Sequence, residues 1–165
     1  MADDLKAEDR VEPELDGRGL RIGIAASRFN DHVTRRLLEG VRRGLASTGV
    51  AEADITEVWV PGAFELPVAA AAAAGTKRYA CLVALGAVVR GDTPHFEYVA
   101  GEAARGLNAV AVAHALPVGF GVLTVDTMQQ AVDRAGGSAG NKGHEAAAAA
   151  IGAADVIAQL RALDA

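Results

Sequence analysis

The chain reads as an α/β domain: a central parallel four-stranded sheet covered by helices on both faces. Three observations predict it. Four short apolar runs alternate with longer segments of helical spacing. The third run, residues 79–89, is apolar almost throughout, the pattern of a strand covered on both faces. Polar and aromatic residues gather directly after the runs, where open parallel sheets bind ligands.

Residues 1–16 are charged and irregular and include Pro13, so they read as an acidic tail before a domain at 17–165. Residues 21–26 form the first short apolar run. A helix over 31–48 follows, with apolar spacing at Val33, Leu37, Leu38, Val41 and Leu45, and Gly49 as its stop. Ile55–Val60 is the second strand, ended by Pro61-Gly62. Small residues over 66–74 make the next helix. After the third strand come a helix over 95–113 and a fourth strand, Val118–Val125. Helices over 127–135 and 145–163 close the chain, separated by the glycine-rich run 136–143. No internal repeat is present.

A length of 165 residues suits one domain with a sizeable core. Hydrophobic residues make up 51% and aromatics only 4%, so the core must come from Ala, Val, Leu and Ile. Small side chains bury little each, which predicts further burial between subunits. A net charge of −5 without a basic tract argues against nucleic acid as a partner. Cys81 is the single cysteine, so no disulfide forms within the chain, and its apolar surroundings make it a core residue. The N-terminus is acidic, unlike a secretory signal, and the apolar stretch 68–74 is too short to span a membrane. A cytoplasmic enzyme or binding protein fits best.

The segment from Leu85 to Tyr98 carries the most chemistry. It leaves a buried strand, passes Gly91, Asp92, Thr93 and Pro94, and enters a helix at His95. The unpaired N–H groups of a helix start favour an anion such as phosphate. A histidine beside it can carry protons near neutral pH. Arg28-Phe29-Asn30 follows the first strand, and Ala63-Phe64-Glu65 follows the second; Phe120 lies within the fourth, between Gly119 and Gly121. Phe29 and Phe120 are candidate walls for a flat ring, and Glu65 is a candidate acceptor for polyol hydroxyls. Each residue also has a purely structural reading. The phenylalanines serve as core plugs or loop anchors, Glu65 compensates a helix dipole, and Thr93 caps a helix. His95 only marks the helix start, Asp92 belongs to a turn, and Arg90 is a solvated or interface charge. Arg134 favours its own helix C-terminus.

Several motif classes are excluded. The glycine-rich run 136–143 lacks Lys-Ser/Thr and follows a helix, so it is not a nucleotide phosphate loop. No Gly-x-Gly-x-x-Gly follows the first strand. His32, His95, His114 and His144 show no paired metal-ligand spacing, which points to metal-free acid–base chemistry.

Taken in order, these segments resemble the lumazine synthase family of riboflavin biosynthesis. The matching pieces are Ile22-Gly23-Ile24, Arg28-Phe29-Asn30, the run Val60 to Pro67, and the run Leu85 to Val99. They continue with Gly121 to Thr124, Arg134-Ala135-Gly136, and Ala139 to Gly143. The resemblance implies a flavodoxin-like three-layer αβα sandwich. It implies a cofactor-independent condensation of ribitylaminouracil with dihydroxybutanone phosphate, giving dimethylribityllumazine, phosphate and water. By resemblance, Phe29 stacks on the pyrimidine, Ala63, Phe64 and Glu65 line the ribityl chain, and Val88 and Val89 contact the ring. Gly91, Asp92 and Thr93 cradle phosphate, and the Asp92 carboxylate must then point away from it. His95 transfers protons and Phe120 lines the ring pocket. Arg134 comes from the adjoining subunit to pair with phosphate, with Lys142 near it.

The resemblance further implies a homo-oligomer of pentamers, joined into a 60-subunit shell in some members, and riboflavin synthase as a partner protein. The compact run 136–143 resembles the shell-forming members. Pro13 opposes that reading, because it lies where a neighbour's N-terminal strand would extend the sheet and it removes a ladder donor. A non-catalytic flavin-binding protein on the same scaffold would keep Phe29 and Phe120 without needing His95, Thr93 and Arg134; all three are present, which favours the enzyme.

Overall fold

The computed structural model describes residues 14–165. Of the expected tail over 1–16, residues 1–13 lie outside the described residues, and with them the bearing of Pro13 on an added strand. The elements run β1 (Ile22–Ser27), α1 (Asp31–Ser47), β2 (Ile55–Val60), α2 (Leu66–Gly75), β3 (Cys81–Val89) and α3 (His95–His114). They continue with β4 (Val118–Val125), α4 (Met128–Arg134), β5 (Ala135–Gly137), β6 (Gly140–Asn141) and α5 (Lys142–Ala162). β1 to β4 form a parallel sheet in the order β2-β1-β3-β4, so the expected α/β sandwich with a four-stranded sheet is correct.

The two faces of the sheet follow from the period of two in β3. Cys81, Val83, Leu85 and Ala87 point to one side, where Val33, Leu37, Val41 and Leu45 of α1 meet Ala146, Ala147, Ala150 and Ile151 of α5. Leu82 and Ala84 point to the other, against Leu66 and Ala70 of α2 and Ala103 and Leu107 of α3. Both faces are covered, which is why the strand reads as one continuous apolar run. Burial pushes the Cys81 thiol up to about 12, as a core cysteine requires. Among the described residues no helix is long and apolar enough to cross a membrane.

Two corrections concern element boundaries. β1 and β3 begin at Ile22 and Cys81, slightly later than the apolar runs suggested. The glycine-rich run is not a plain loop. It holds the antiparallel β5–β6 pair, and α5 starts at Lys142, three residues before the expected Glu145. The cause is Asn141, whose side-chain oxygen accepts from the N–H groups of Gly143 at 2.9 Å and His144 at 3.2 Å. That cap offsets the poor helix propensity of glycine. Glycine is required there for another reason. A Cβ on Gly143 would lie 2.1 Å from the Leu37 carbonyl oxygen, and one on Gly40 would lie 2.1 Å from the Asn141 side chain. The two glycines let α5 begin directly against α1.

At the N-terminal side, Leu15 packs on the core and the Gly17 N–H donates to the Thr48 carbonyl at 2.7 Å. Asp16 accepts from the Arg18 side chain at 2.9 and 2.7 Å, which holds its carboxyl down at about 2.

Ser27, the last residue of β1, is 1% exposed and its hydroxyl has no hydrogen-bond partner among the described residues. Gly86 makes room for it: a Cβ there would sit 2.8 Å from the hydroxyl. Removing an unsatisfied buried hydroxyl costs nothing, so Ser27→Ala should leave stability unchanged or raise it by up to about 1 kcal/mol in urea titrations. A clear loss of stability would mean that the hydroxyl is bonded in solution.

Candidate active site

Three loops meet at the carboxyl ends of β2, β1 and β3. After β1, the backbone N–H groups of Arg28 and Phe29 donate to the carbonyls of Val60 at 2.8 Å and Pro61 at 3.0 Å. Asn30 adopts a left-handed conformation (φ 60°), which asparagine tolerates better than most residues. Its side-chain amide donates to the Ala87 carbonyl at 2.9 Å, tying the β1 loop to the end of β3. Phe29 is thereby held outward, 72% exposed. It is not a core plug.

After β2, Ala63–Glu65 forms one 3-10 turn before α2. Glu65 precedes α2 without making a side-chain cap bond, and its carboxylate folds back beside Gly62. After β3, the turn through Gly91, Asp92 and Thr93 leads to Pro94, which precedes α3. Among the described residues no side chain caps α3, so the Thr93 hydroxyl is not used that way. The Glu97 N–H is bonded to the Pro94 carbonyl. The start of a 20-residue helix thus faces the cleft.

These loops enclose a cleft of about 640 Å³. It brings together Phe29, Ala63, Phe64, Glu65, Val88, Val89, Gly91, Thr93 and His95, as the sequence grouping expected. Asp92 does not line it, although both of its neighbours do. Phe96, Tyr98 and Val99 line it as well and were not anticipated. The signal was available: Tyr98 follows His95 by three residues, which puts both on one face of α3. Mostly apolar walls carrying a few polar groups are the usual make-up of a small-molecule site.

Phe120, Arg134 and Lys142 do not reach this cleft within one chain. They line a second groove of about 450 Å³ between β4, α4 and α5. β4 is an edge strand of the sheet, and Phe120 and Thr124 are exposed on it. Arg134 is half-buried and its guanidinium donates to the Gln130 carbonyl at 3.1 Å, the helix C-terminal role the sequence allowed. Lys142 pairs with Glu145 at 2.8 Å.

The family model for 6,7-dimethyl-8-ribityllumazine synthase matches residues 19–158. A 6,7-dimethyl-8-ribityllumazine synthase from Nitratidesulfovibrio vulgaris (strain DSM 19637 / Miyazaki F) is 49% identical over 150 residues, covering 91% of this chain and 96% of that protein. With a four-stranded parallel sheet, a cleft at its strand ends and sequence identity over nearly the whole length, the chain belongs to the 6,7-dimethyl-8-ribityllumazine synthase family.

Proposed function

We propose that this chain condenses ribitylaminouracil with dihydroxybutanone phosphate to dimethylribityllumazine, in a site completed by a second copy of the chain. The observation that carries the reading is the cleft itself. It sets an exposed aromatic face, Phe29, a carboxylate, Glu65, and a helix start with Thr93 and His95 around one space of about 640 Å³.

Phe29 stacks on the pyrimidine, and Val88 and Val89 form the floor beneath it. Ala63 and Phe64 flank the ribityl chain, whose hydroxyls donate to Glu65. Gly91, Thr93 and the first N–H groups of α3 hold the phosphate. The uracil amine is itself the nucleophile, so the protein needs no covalent one. Holding amine and ketone in register supplies a large part of the rate. The amine adds to the ketone carbonyl and water leaves to give the imine; phosphate is then eliminated, and ring closure releases a second water. His95 accepts and returns the protons these steps require. Its reacting partners are small molecules, and an acidic chain without a basic tract suits a cytoplasmic reaction of this kind.

Phe120, Arg134 and Lys142 act from the neighbouring copy, with Arg134 pairing to the phosphate. The separation of the two grooves on one chain supports that division. So do the apolar residues left in water: Val68 and Val112 are 69% and 74% exposed, and Leu160 is 59% exposed on α5. The assembly we favour is a pentamer built into a closed shell, with riboflavin synthase as a partner protein.

Incubating the purified protein with both substrates and following product absorbance tests the activity; no product from the pair rejects it. Light scattering with mass determination at neutral pH tests the assembly. A particle many pentamers in mass is expected. A pentamer mass across a wide concentration range would reject the shell, and a stable active monomer would reject the shared site.

A further inference from the structure

Arg90 sits between the last residue of β3 and the Gly91–Thr93 turn, and it is tied in four directions. Its backbone N–H donates to the Val125 carbonyl at 2.9 Å. Its Nε donates to Asp126 at 2.9 Å, just past the end of β4. Its Nη1 donates to Glu97 in the first turn of α3. Its guanidinium carbon lies 4.3 Å from the centre of the Phe96 ring, which is a wall of the cleft. The sequence left this residue as a free or interface charge; the structure makes it a clamp.

The clamp brackets the turn. Arg90 and Glu97 stand immediately before and after the segment that contains Gly91, Thr93 and His95, so their pairing ties its two ends together. Closing a short segment restricts its excursions. Asp126 fixes the closed turn to the edge strand. From there the contacts continue: the Asp126 N–H donates to the Gln130 side chain at 2.8 Å, and the Gln130 carbonyl accepts from Arg134 at 3.1 Å. One strut therefore touches both segments to which phosphate binding is assigned.

We propose that Arg90 is the positioning residue of the phosphate-binding turn, setting the Gly91–Thr93 backbone and the start of α3 through Glu97, Asp126 and Phe96. The proposal rests on the condensing-enzyme reading for its substrate and on geometry for the rest. Only arginine meets the requirement. Its fork reaches two carboxylates in different directions while its charge sits over an aromatic ring, and a lysine ammonium offers one point charge. The Arg90 hydrogen bond holds the Glu97 carboxyl below its usual range, so both partners stay charged at neutral pH. The pairs are half-exposed, so they add little to global stability. Their effect falls on the precision of the turn, where misplacement of a binding group is costly.

The test uses the intact oligomer and the variants Arg90→Ala, Arg90→Lys and Glu97→Gln. Inorganic phosphate serves as the probe of the turn, competing with the ketone phosphate. Arg90→Ala should raise the inhibition constant of phosphate and the KM of the ketone phosphate together, by about 10-fold, with the uracil KM within about twofold; kcat should fall as well, because His95 opens the same helix. Hydrogen exchange at the amides of residues 91–96 should speed up while the melting temperature holds. Arg90→Lys should recover part of the loss, and Glu97→Gln should fall between. Unchanged phosphate inhibition and unchanged exchange in Arg90→Ala would overturn the proposal. Equal rises in both KM values with a lowered melting temperature would also overturn it, marking Arg90 as a general structural residue. If the wild-type protein makes no product, the functional reading fails by itself; the exchange measurement still decides whether Arg90 orders the turn.

Discussion

His95→Ala should lower turnover by about 10²-fold while leaving the KM of both substrates nearly unchanged. The imidazole is exposed at the cleft wall, on the first residue of α3 and beside the turn to which phosphate is assigned. The proposed reaction requires that group to serve the amine, the carbonyl oxygen and the departing phosphate in turn, so its loss should fall on turnover rather than on binding. Because the amine is already nucleophilic, the variant should retain the rate that comes from holding the reactants together. Truncation at an exposed site leaves room for a small base, so added imidazole should restore part of the lost rate. The pH dependence of turnover should also change shape once the side chain is gone. Wild-type turnover with an unchanged pH profile would remove His95 from the chemistry.

The fold was legible because its signals are local. β3 announced itself by unbroken apolar character, and α1 by the spacing of Val33, Leu37, Leu38, Val41 and Leu45. The cleft was legible for a related reason: in a parallel sheet the residues just after the strands must share one rim. Phe29, Ala63 to Glu65 and the turn before His95 needed no further information to be grouped. What stayed hidden depends on contacts between distant segments. The early start of α5 required a Gly143 backbone pressed against Leu37 and a cap from Asn141, in a run whose glycines read as loop. The Arg90 clamp required Asp126, 36 positions away, to arrive beside it. A neighbour's Arg134 was expected by resemblance, but the separation of Phe120 from the cleft required the strand order, which puts β4 at a sheet edge with Phe120 half-exposed. A strand's position in the sheet order is a property of the assembled sheet that β4's own residues do not encode.

That division sets up the second large effect. Arg134→Ala should raise the KM of the ketone phosphate about 10- to 100-fold, the loss of one charge-assisted pair worth ~1.5–3 kcal/mol. The uracil KM should move little, because Arg134 is assigned to phosphate alone. Among the described residues the guanidinium holds only the Gln130 carbonyl, at 3.1 Å, so the truncation should not unfold α4, whose Thr127–Gln130 capping box remains. Where the lost contact belongs can be decided by mixing. His95→Ala protein keeps an intact Arg134 groove, and Arg134→Ala protein keeps an intact cleft. If the groove of one copy completes the cleft of the next, random co-assembly of equal amounts gives about a quarter of the sites both wild-type residues. Assayed with the ketone phosphate below its wild-type KM, where both variants are slow, co-expressed mixtures should then regain roughly that fraction of the wild-type rate. If Arg134 instead served the cleft of its own chain, every site in the mixture would lack one residue or the other. Activity would stay at the mean of the two variants, and the shared site would be refuted even if both single substitutions behaved as expected.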